Sequence, residues 1–245
     1  MDETGIRLRI APELRLFLPA SRRHEWHDLA CDGTSSLGHL VESLGIPLTE
    51  VGPMTAVGPM TAAGSGVESS YQPGPGDVVE VVAIPRPQPM GGHGARFLLD
   101  VHLGTLARRL RLLGVDTAYH NDMDDPALVV QANAERRVLL TQDRGLLRRR
   151  ALWLGAYVRG SRAEEQLRDL LERFEPPLLP WTRCTACNGE LSEVAKSEVE
   201  RDLPDGTRRG IDAYGRCLDC GQVYWRGAHS DHLERIVAEA MRLTS

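Results

Sequence analysis

The sequence predicts an α/β fold in three parts, and three observations predict it. Between residues 95 and 175, short apolar runs alternate with amphipathic helical runs, the pattern of a mainly parallel sheet with helical crossovers. Residues 1–88 carry a ββαβ order, that of a small β-grasp domain. Residues 176–245 hold two CxxC pairs and then an amphipathic helix.

In the first part, IRLRI (6–10) and LRLFL (14–18) predict strands. SLGHLVESL (36–44) predicts a short helix stopped at Gly45, with Pro47 just beyond. PGPGDVVEVVAI (73–84) predicts a turn and a β-branched strand. The hexapeptide VGPMTA occurs twice in tandem, at 51–56 and 57–62. One copy suffices for a strand and turn, so the second is expected to be a duplication tolerated in a surface loop. The Pro- and Gly-rich PRPQPMGGHG (85–94) has the composition of a linker.

In the second part, ARFLLD, VDTAYH, RVLLT and LGAYVR read as strands. GTLARRLRLLG places Leu103, Leu106, Ala107, Leu110 and Leu113 on one helical face and stops at Gly114. DPALVVQANAE predicts the next helix, and SRAEEQLRDLLERF predicts another with a capping box at Ser161 and Glu164. In the third part, Leu233, Ile236, Val237 and Ala240 form the apolar face of a final helix.

The net charge of −5 argues against a chain coated for bulk DNA binding, and Lys196 is the only lysine. No apolar run approaches the roughly 18 residues of a membrane span. The first residues, MDETGIRLRI, lack the basic-then-apolar layout of a signal peptide. Paired cysteines suit a metal in a reducing compartment, so a cytoplasmic protein is expected.

Carboxylates recur at strand ends. Asp100 ends the first strand of the second part, Asp143 ends the third, and Asp124 and Asp125 sit where the second strand meets the helix opened by Pro126. Ligands of open α/β sheets bind at such ends. Clustered carboxylates repel and require a cation, and all-oxygen ligands suit Mg²⁺ or Mn²⁺. Helix capping is the competing reading for Asp125 and Asp143. Asp100 lies between FLL and VHLG, where no turn needs it. His120, Asp122 and Asp124 crowd one loop as candidates for supporting roles.

Arginines flank these acids. Arg108, Arg109 and Arg111 fall on the polar face of the first helix, and Arg144, Arg148, Arg149 and Arg150 follow Asp143. Residues 93–175 hold 14 arginines against 12 acids, a local surplus of two in an acidic chain. Such a surface fits a polyanion, although a solvated helix face explains each arginine equally well.

CTAC (184–187) and CLDC (217–220) supply four thiols, Cys184, Cys187, Cys217 and Cys220, each pair trailed by a glycine. Four thiolates suit a closed, structural zinc site. The long gap between the pairs predicts an inserted hairpin or loop around DLPDGTRRG. His229 and His232 are further ligand candidates.

FLLDVHLGTLARRLRLLGVDTAYHNDMDD, VLLTQDRGLL, RCTACNGEL and CGQVYWRGAH together resemble the Mut-seven C-terminal RNase domain family. Residues 5–84 resemble the ubiquitin-like domain often fused in front of it. The resemblance implies a PIN-like nuclease domain followed by a zinc ribbon. It implies metal-dependent ribonuclease activity, with Asp100, Asp125 and Asp143 binding Mg²⁺ or Mn²⁺. Where the family often carries an acid two residues after the position of Asp125, this chain has Ala127. Glu164 is a candidate fourth acid.

The reading is therefore a ribonuclease whose acids hold metal while Arg108, Arg111, Arg144, Arg148 and Arg149 position RNA. The alternative is an RNA- or ribosome-binding zinc-ribbon adaptor with a vestigial nuclease site. A protein partner docking on the ubiquitin-like domain is a third expectation.

Overall fold

The computed structural model describes residues 5–58, 61–90, 94–203, 213–225 and 231–244. The chain divides into two compact units, Met1–Gln88 with Asp143–Tyr157, and Pro89–Gln142 with Val158–Ser245. In chain order the elements begin with β1 (Gly5–Ile10), β2 (Trp26–Ala30), α1 (Leu37–Ser43), β3 (Val51–Gly58), β4 (Thr61–Val67) and β5 (Val78–Ala83). There follow β6 (Phe97–Leu99), α2 (Gly104–Leu112), β7 (Thr117–Tyr119), α3 (Asp125–Glu135), β8 (Val138–Thr141), α4 (Arg144–Leu147), β9 (Gly155–Tyr157) and α5 (Ala163–Phe174). The last elements are β10 (Leu191–Val194), α6 (Lys196–Val199), β11 (Tyr214–Cys217), β12 (Val223–Trp225) and α7 (Asp231–Leu243). None of the described helices is long and apolar enough to cross a membrane.

In the first unit, five strands form a mixed sheet in the order β2-β1-β5-β3-β4. β1 and β5 run parallel, and the other neighbours are antiparallel. Alternation sends Ile6, Leu8 and Ile10 to the core, where Val79 and Val81 join them beside Leu37 and Val41 of α1. Ser36 caps α1 by accepting from the His39 N–H, and Gly45 ends the helical run at φ +98°, a conformation that suits glycine.

Two expectations change here. LRLFL is not a strand: Pro12–Phe17 is a 3₁₀ helix, started by Pro12 and held by Arg15, whose side chain donates to the Ile10 carbonyl at 3.0 Å. Leu14 and Phe17, three apart, fall on one face of such a helix and are both buried. The second strand is instead β2. The repeated VGPMTA is not a plain loop duplication either. The first copy lies wholly in β3, and the second contributes Val57 and Gly58 to the end of β3 and Thr61 and Ala62 to the start of β4, so it lengthens a hairpin. Residues 59 and 60 of that copy, and residues 91–93 of the expected linker, lie outside the described residues.

The later segment of this unit packs on the β-grasp part. Arg144 donates to the carbonyls of Phe17 (2.7 Å) and Leu16 (3.1 Å) and lies over the Phe17 ring. The ring of Tyr157 meets Phe17 edge-on, and the buried Glu50 carboxylate accepts from the Tyr157 N–H at 2.7 Å.

In the second unit, β7, β6 and β8 are parallel, with Phe97 opposite both Thr117 and Val138. Every residue of β6 and β8 is buried, as expected for parallel strands covered on both faces. Leu106 and Leu110 of α2, Leu128 and Ala132 of α3, and Leu167, Leu170 and Phe174 of α5 build the core. Gly114 ends α2 at φ +80°, where a Cβ would collide with the Leu179 carbonyl, so this stop requires glycine. The segment after α5 seals the helix end, with the Leu179 and Trp181 N–H groups donating to the carbonyls of Leu113 and Leu112. β10, β11 and β12 form a separate antiparallel ribbon. The hairpin or loop expected around DLPDGTRRG falls on residues 204–212, outside the described residues.

Candidate functional site

Asp100 follows β6 directly. Its N–H donates to the Leu140 carbonyl at 3.0 Å, continuing the ladder with β8. Its carbonyl accepts from Leu103, opening a 3₁₀ turn at Val101–Leu103, and its side chain takes no part in capping that turn. The carboxylate is 8% exposed and accepts from the Thr141 hydroxyl at 2.6 Å. Among the described residues no arginine, lysine or histidine pairs with it. A buried carboxylate satisfied only by a hydroxyl is costly unless a cation completes it.

The sequence offers Asp125 as the N-cap of α3. The cap is Asp124, one residue earlier, whose side chain accepts from the Ala127 N–H at 2.9 Å. Asp125 is the first helical residue, so its carboxylate is not spent on the cap. Asp122 and His120 are exposed in the preceding loop.

Asp143 belongs to the first unit. It caps α4, accepting from the N–H groups of Gly145 (2.6 Å) and Leu146 (3.3 Å). Both of these bonds end on Oδ1.

Glu164 is not the capping-box acid. Glu165 is, accepting from the backbone N–H groups of Ser161 and Arg162. The register differs by one because the helix begins at Ala163, which puts Glu165 at its third position. Glu164 instead accepts from Arg109 at 2.5 Å, and that hydrogen bond holds its carboxyl below the ordinary range.

The expected substrate arginines divide. Arg111 is not on the polar face: it is 3% exposed and donates to the carbonyls of Thr117, Thr185 and Ala186. Burial lowers its pKa. Arg144 is committed to Leu16 and Phe17, as described. Both corrections share a cause: a guanidinium with five donors in a fixed fork satisfies several carbonyls at once. Arg108, Arg148, Arg149 and Arg150 are exposed.

The four cysteines come together. Their sulfurs lie within 4.8 Å of one another, with Cys184 3.7 Å from Cys220 and Cys187 3.4 Å from Cys217. A tetrahedron of thiolates about zinc has edges of roughly 3.8 Å, given Zn–S bonds of about 2.3 Å, so the set is consistent with zinc. The Cys187 N–H points at the Cys184 sulfur and the Gly189 N–H at that of Cys187. Burial and the neighbouring sulfurs push the Cys187 thiol up to about 12. At Cys184 burial acts the same way, but hydrogen bonds led by that of Tyr224 outweigh it and bring the thiol to about 6. Four sulfurs at these distances cannot all ionise without a cation between them. His232 is exposed on α7 beside Arg235, and His229 lies outside the described residues.

Each CxxC is followed by one residue at positive φ, Gly221 after the second pair and Asn188 after the first. Asparagine tolerates that conformation and adds a side chain. The Asn188 amide accepts from the Thr117 N–H at 2.9 Å and donates to Asp116 at 2.8 Å, which ties the ribbon to β7. Asp116 also accepts from Arg137 and Arg96. Burial alone would raise its pKa, but these three partners bring it down to about 2. The sequence did not single out Asn188, Asp116 or Thr141. Their signal is weak: an Asn in a glycine-like slot, and a Thr two residues before Asp143.

Residues 95–237 match the family model described as Mut7-C RNAse domain, and residues 3–89 match the one described as Mut7-C ubiquitin. No curated protein and no solved structure matches the chain.

Proposed function

The chain belongs to the Mut7-C RNAse domain family, and from that premise we propose that it is a ribonuclease cutting RNA phosphodiester bonds with Mg²⁺ or Mn²⁺ held by Asp100, Asp125 and Asp143. The family match supports a nuclease-type function, and the ion and the site are our reading. The observation that carries it is Asp100, whose buried carboxylate at a parallel strand end has a hydroxyl partner but, among the described residues, no cationic side chain. The donor set is all carboxylate oxygen, which fits a hard cation. When bound, such an ion supplies charge stabilisation at phosphorus and a more acidic water. Thr141 orients the Asp100 carboxylate, and the Gly145 and Leu146 N–H groups orient that of Asp143. The cysteines would hold a structural zinc, since four thiolates fill a tetrahedral shell. The partners on this reading are RNA and, through the ubiquitin-like domain, a protein. The paired thiols support a cytoplasmic location.

Asp100→Asn should lower single-turnover cleavage of RNA by roughly a hundredfold or more, and Thr141→Val should raise the Mn²⁺ concentration for half-activation by about 10- to 100-fold. Mg²⁺ or Mn²⁺ should be omitted and added back, because a strong chelator would also strip the cysteine cluster. Unchanged cleavage in Asp100→Asn refutes the site.

One observation favours the alternative of an RNA-binding module with a vestigial site: the Asp143 carboxylate is engaged as a helix cap. Asparagine caps as well as aspartate does. Asp143→Asn therefore keeps the fold and removes the charge. Loss of cleavage at unchanged melting temperature supports the nuclease site, full cleavage removes Asp143 from it and leaves it a helix cap, and RNA binding without Mg²⁺- or Mn²⁺-dependent cleavage by the wild type supports the alternative.

A further inference from the structure

Beyond α4 the chain passes Arg148, Arg149 and Arg150, which line a cavity of about 390 Å³. The other wall belongs to the ubiquitin-like domain, where Ser36, Ser69 and Ser70 contribute hydroxyls. Among the described residues the lining has one carboxylate, that of Glu42, against three guanidiniums. On β1 the two arginines are neutralised locally: Arg7 pairs with Asp28, and Arg9 pairs with Glu25 and Glu80. At the cavity the side chains of Arg148 and Arg150 have no ion-pair or hydrogen-bond partner among the described residues. Exposed guanidiniums beside hydroxyl donors are the chemistry that takes phosphate oxygens. The volume is within the range of small-ligand clefts, enough for about a nucleotide. Among the described residues no Phe, Tyr or Trp lines it, so these walls offer no strong stacking platform for bases.

We propose that this cavity binds the phosphodiester backbone of single-stranded RNA, which makes the ubiquitin-like domain part of the substrate-binding surface. The inference rests on the reading of RNA as the substrate. It adds that sequence-independent backbone contacts are made by a wall the nuclease domain does not supply. Asp143 lies one short helix before Arg148, about 6 Å of helical rise, so bound backbone would lie close to that acid.

The test is binding of a labelled 12-nucleotide RNA to the full chain without added Mg²⁺ or Mn²⁺, so that cleavage does not enter. Replacing Arg148, Arg149 and Arg150 together with Gln should weaken binding and flatten its salt dependence. Each phosphate no longer neutralised removes about 0.7 from the slope of log affinity against log salt for single strands. If the arginines neutralise two phosphates, the wild type should lose about sevenfold more affinity than the variant between 50 and 200 mM salt. Ser70→Asp, at an exposed turn, places a negative charge on the opposite wall and should weaken binding several-fold at low salt with the melting temperature unchanged. If the triple variant binds RNA with the same affinity and salt slope, the proposal fails. If the triple variant weakens binding while Ser70→Asp does not, the arginines meet RNA outside the cavity and the proposal also fails. If polyglutamate displaces nothing and a DNA strand of equal length competes as well as RNA, the backbone reading stands. If an acidic peptide binds at this cavity and RNA does not, the site serves a protein partner and the proposal is overturned. Cleavage by the triple variant at saturating RNA separates this outcome from the ribonuclease reading, since loss of backbone binding raises KM and leaves the chemical step in place.

Discussion

Arg111 and Arg144 do the same work in different units and under different conditions. Each gives its guanidinium to backbone carbonyls far away in the chain. Arg111 is buried and serves three of them, joining α2 to β7 and to the first cysteine knuckle. Arg144 is half-buried, serves two, and rests on the Phe17 ring. Water can replace Arg144 at its carbonyls but has little room to replace Arg111. The ribbon is therefore fastened to the sheet cooperatively, through Arg111, Asn188 and the cysteine cluster together. The segment carrying Asp143 is fastened to the β-grasp part by bonds that can open one at a time.

The ribbon's side of this comparison breaks most completely at the cysteines. Cys184→Ser should release the ion, disorder β10–β12 and destabilise the second unit, because the knuckle carbonyls that receive Arg111 lose their shape. Structural zinc sites contribute roughly 10 kcal/mol or more of apparent binding free energy at neutral pH. Zinc content per chain and a urea melt check this, and a variant that keeps both the metal and the wild-type midpoint contradicts it.

The arginines sharpen the contrast directly. Arg111→Ala leaves three carbonyls without their donor and should cost at least about 3 kcal/mol, at about 1–3 kcal/mol for each buried unsatisfied group. Arg144→Ala should cost about 2 kcal/mol, and hydrogen exchange should quicken mainly over residues 143–157. Equal losses in the two variants would show that burial does not separate the two connections.

The last effect, no larger, concerns Asp116, where the ribbon meets β7. Its carboxyl lies at about 2 in the folded chain, below the ordinary 3.8. A depressed carboxyl contributes stability that is present above the unfolded pKa and lost as pH falls through the folded one. The window is therefore about pH 4 down to about pH 2, and the contribution about 2 kcal/mol. Asp116→Asn should remove that part of the acid slope, and an unchanged slope would show that Asn188 and Arg137 do not act through this carboxylate.

Several of these features were legible from residues alone. The alternation of short apolar runs with helical runs located β6, β7, β8 and their helices, because period and length separate the two states. The two CxxC pairs identified the four thiols that the fold assembles, since a knuckle is a local structure and its spacing is its geometry. Asp100 stood out because no local role accounted for it, and the structure gives it none: its partner, Thr141, is 41 residues away. Other features were misplaced by a single residue. Asp124 caps α3 where Asp125 was expected, and Glu165 caps α5 where Glu164 was expected. Neighbouring acids are equivalent as patterns, and only the dihedral angles of the first turn choose between them.

What the sequence by itself determined was whatever follows from neighbours along the chain: strand and helix periods, the glycine stops at Gly45 and Gly114, the cysteine knuckles, and an acid at the end of β6. What only the tertiary structure decided was the use of each charged side chain. LRLFL lies largely in a 3₁₀ helix whose Leu16 and Phe17 carbonyls receive Arg144 and whose Phe17 ring meets Tyr157, contacts no local pattern encodes. Arg111 and Arg144 went to carbonyls while Arg148 and Arg150 stayed exposed, although all four look alike in the sequence. The physical reason is that a guanidinium's partners are set by three-dimensional proximity to unsatisfied carbonyls, 74 and 127 residues away in these cases, and no period or spacing records that distance.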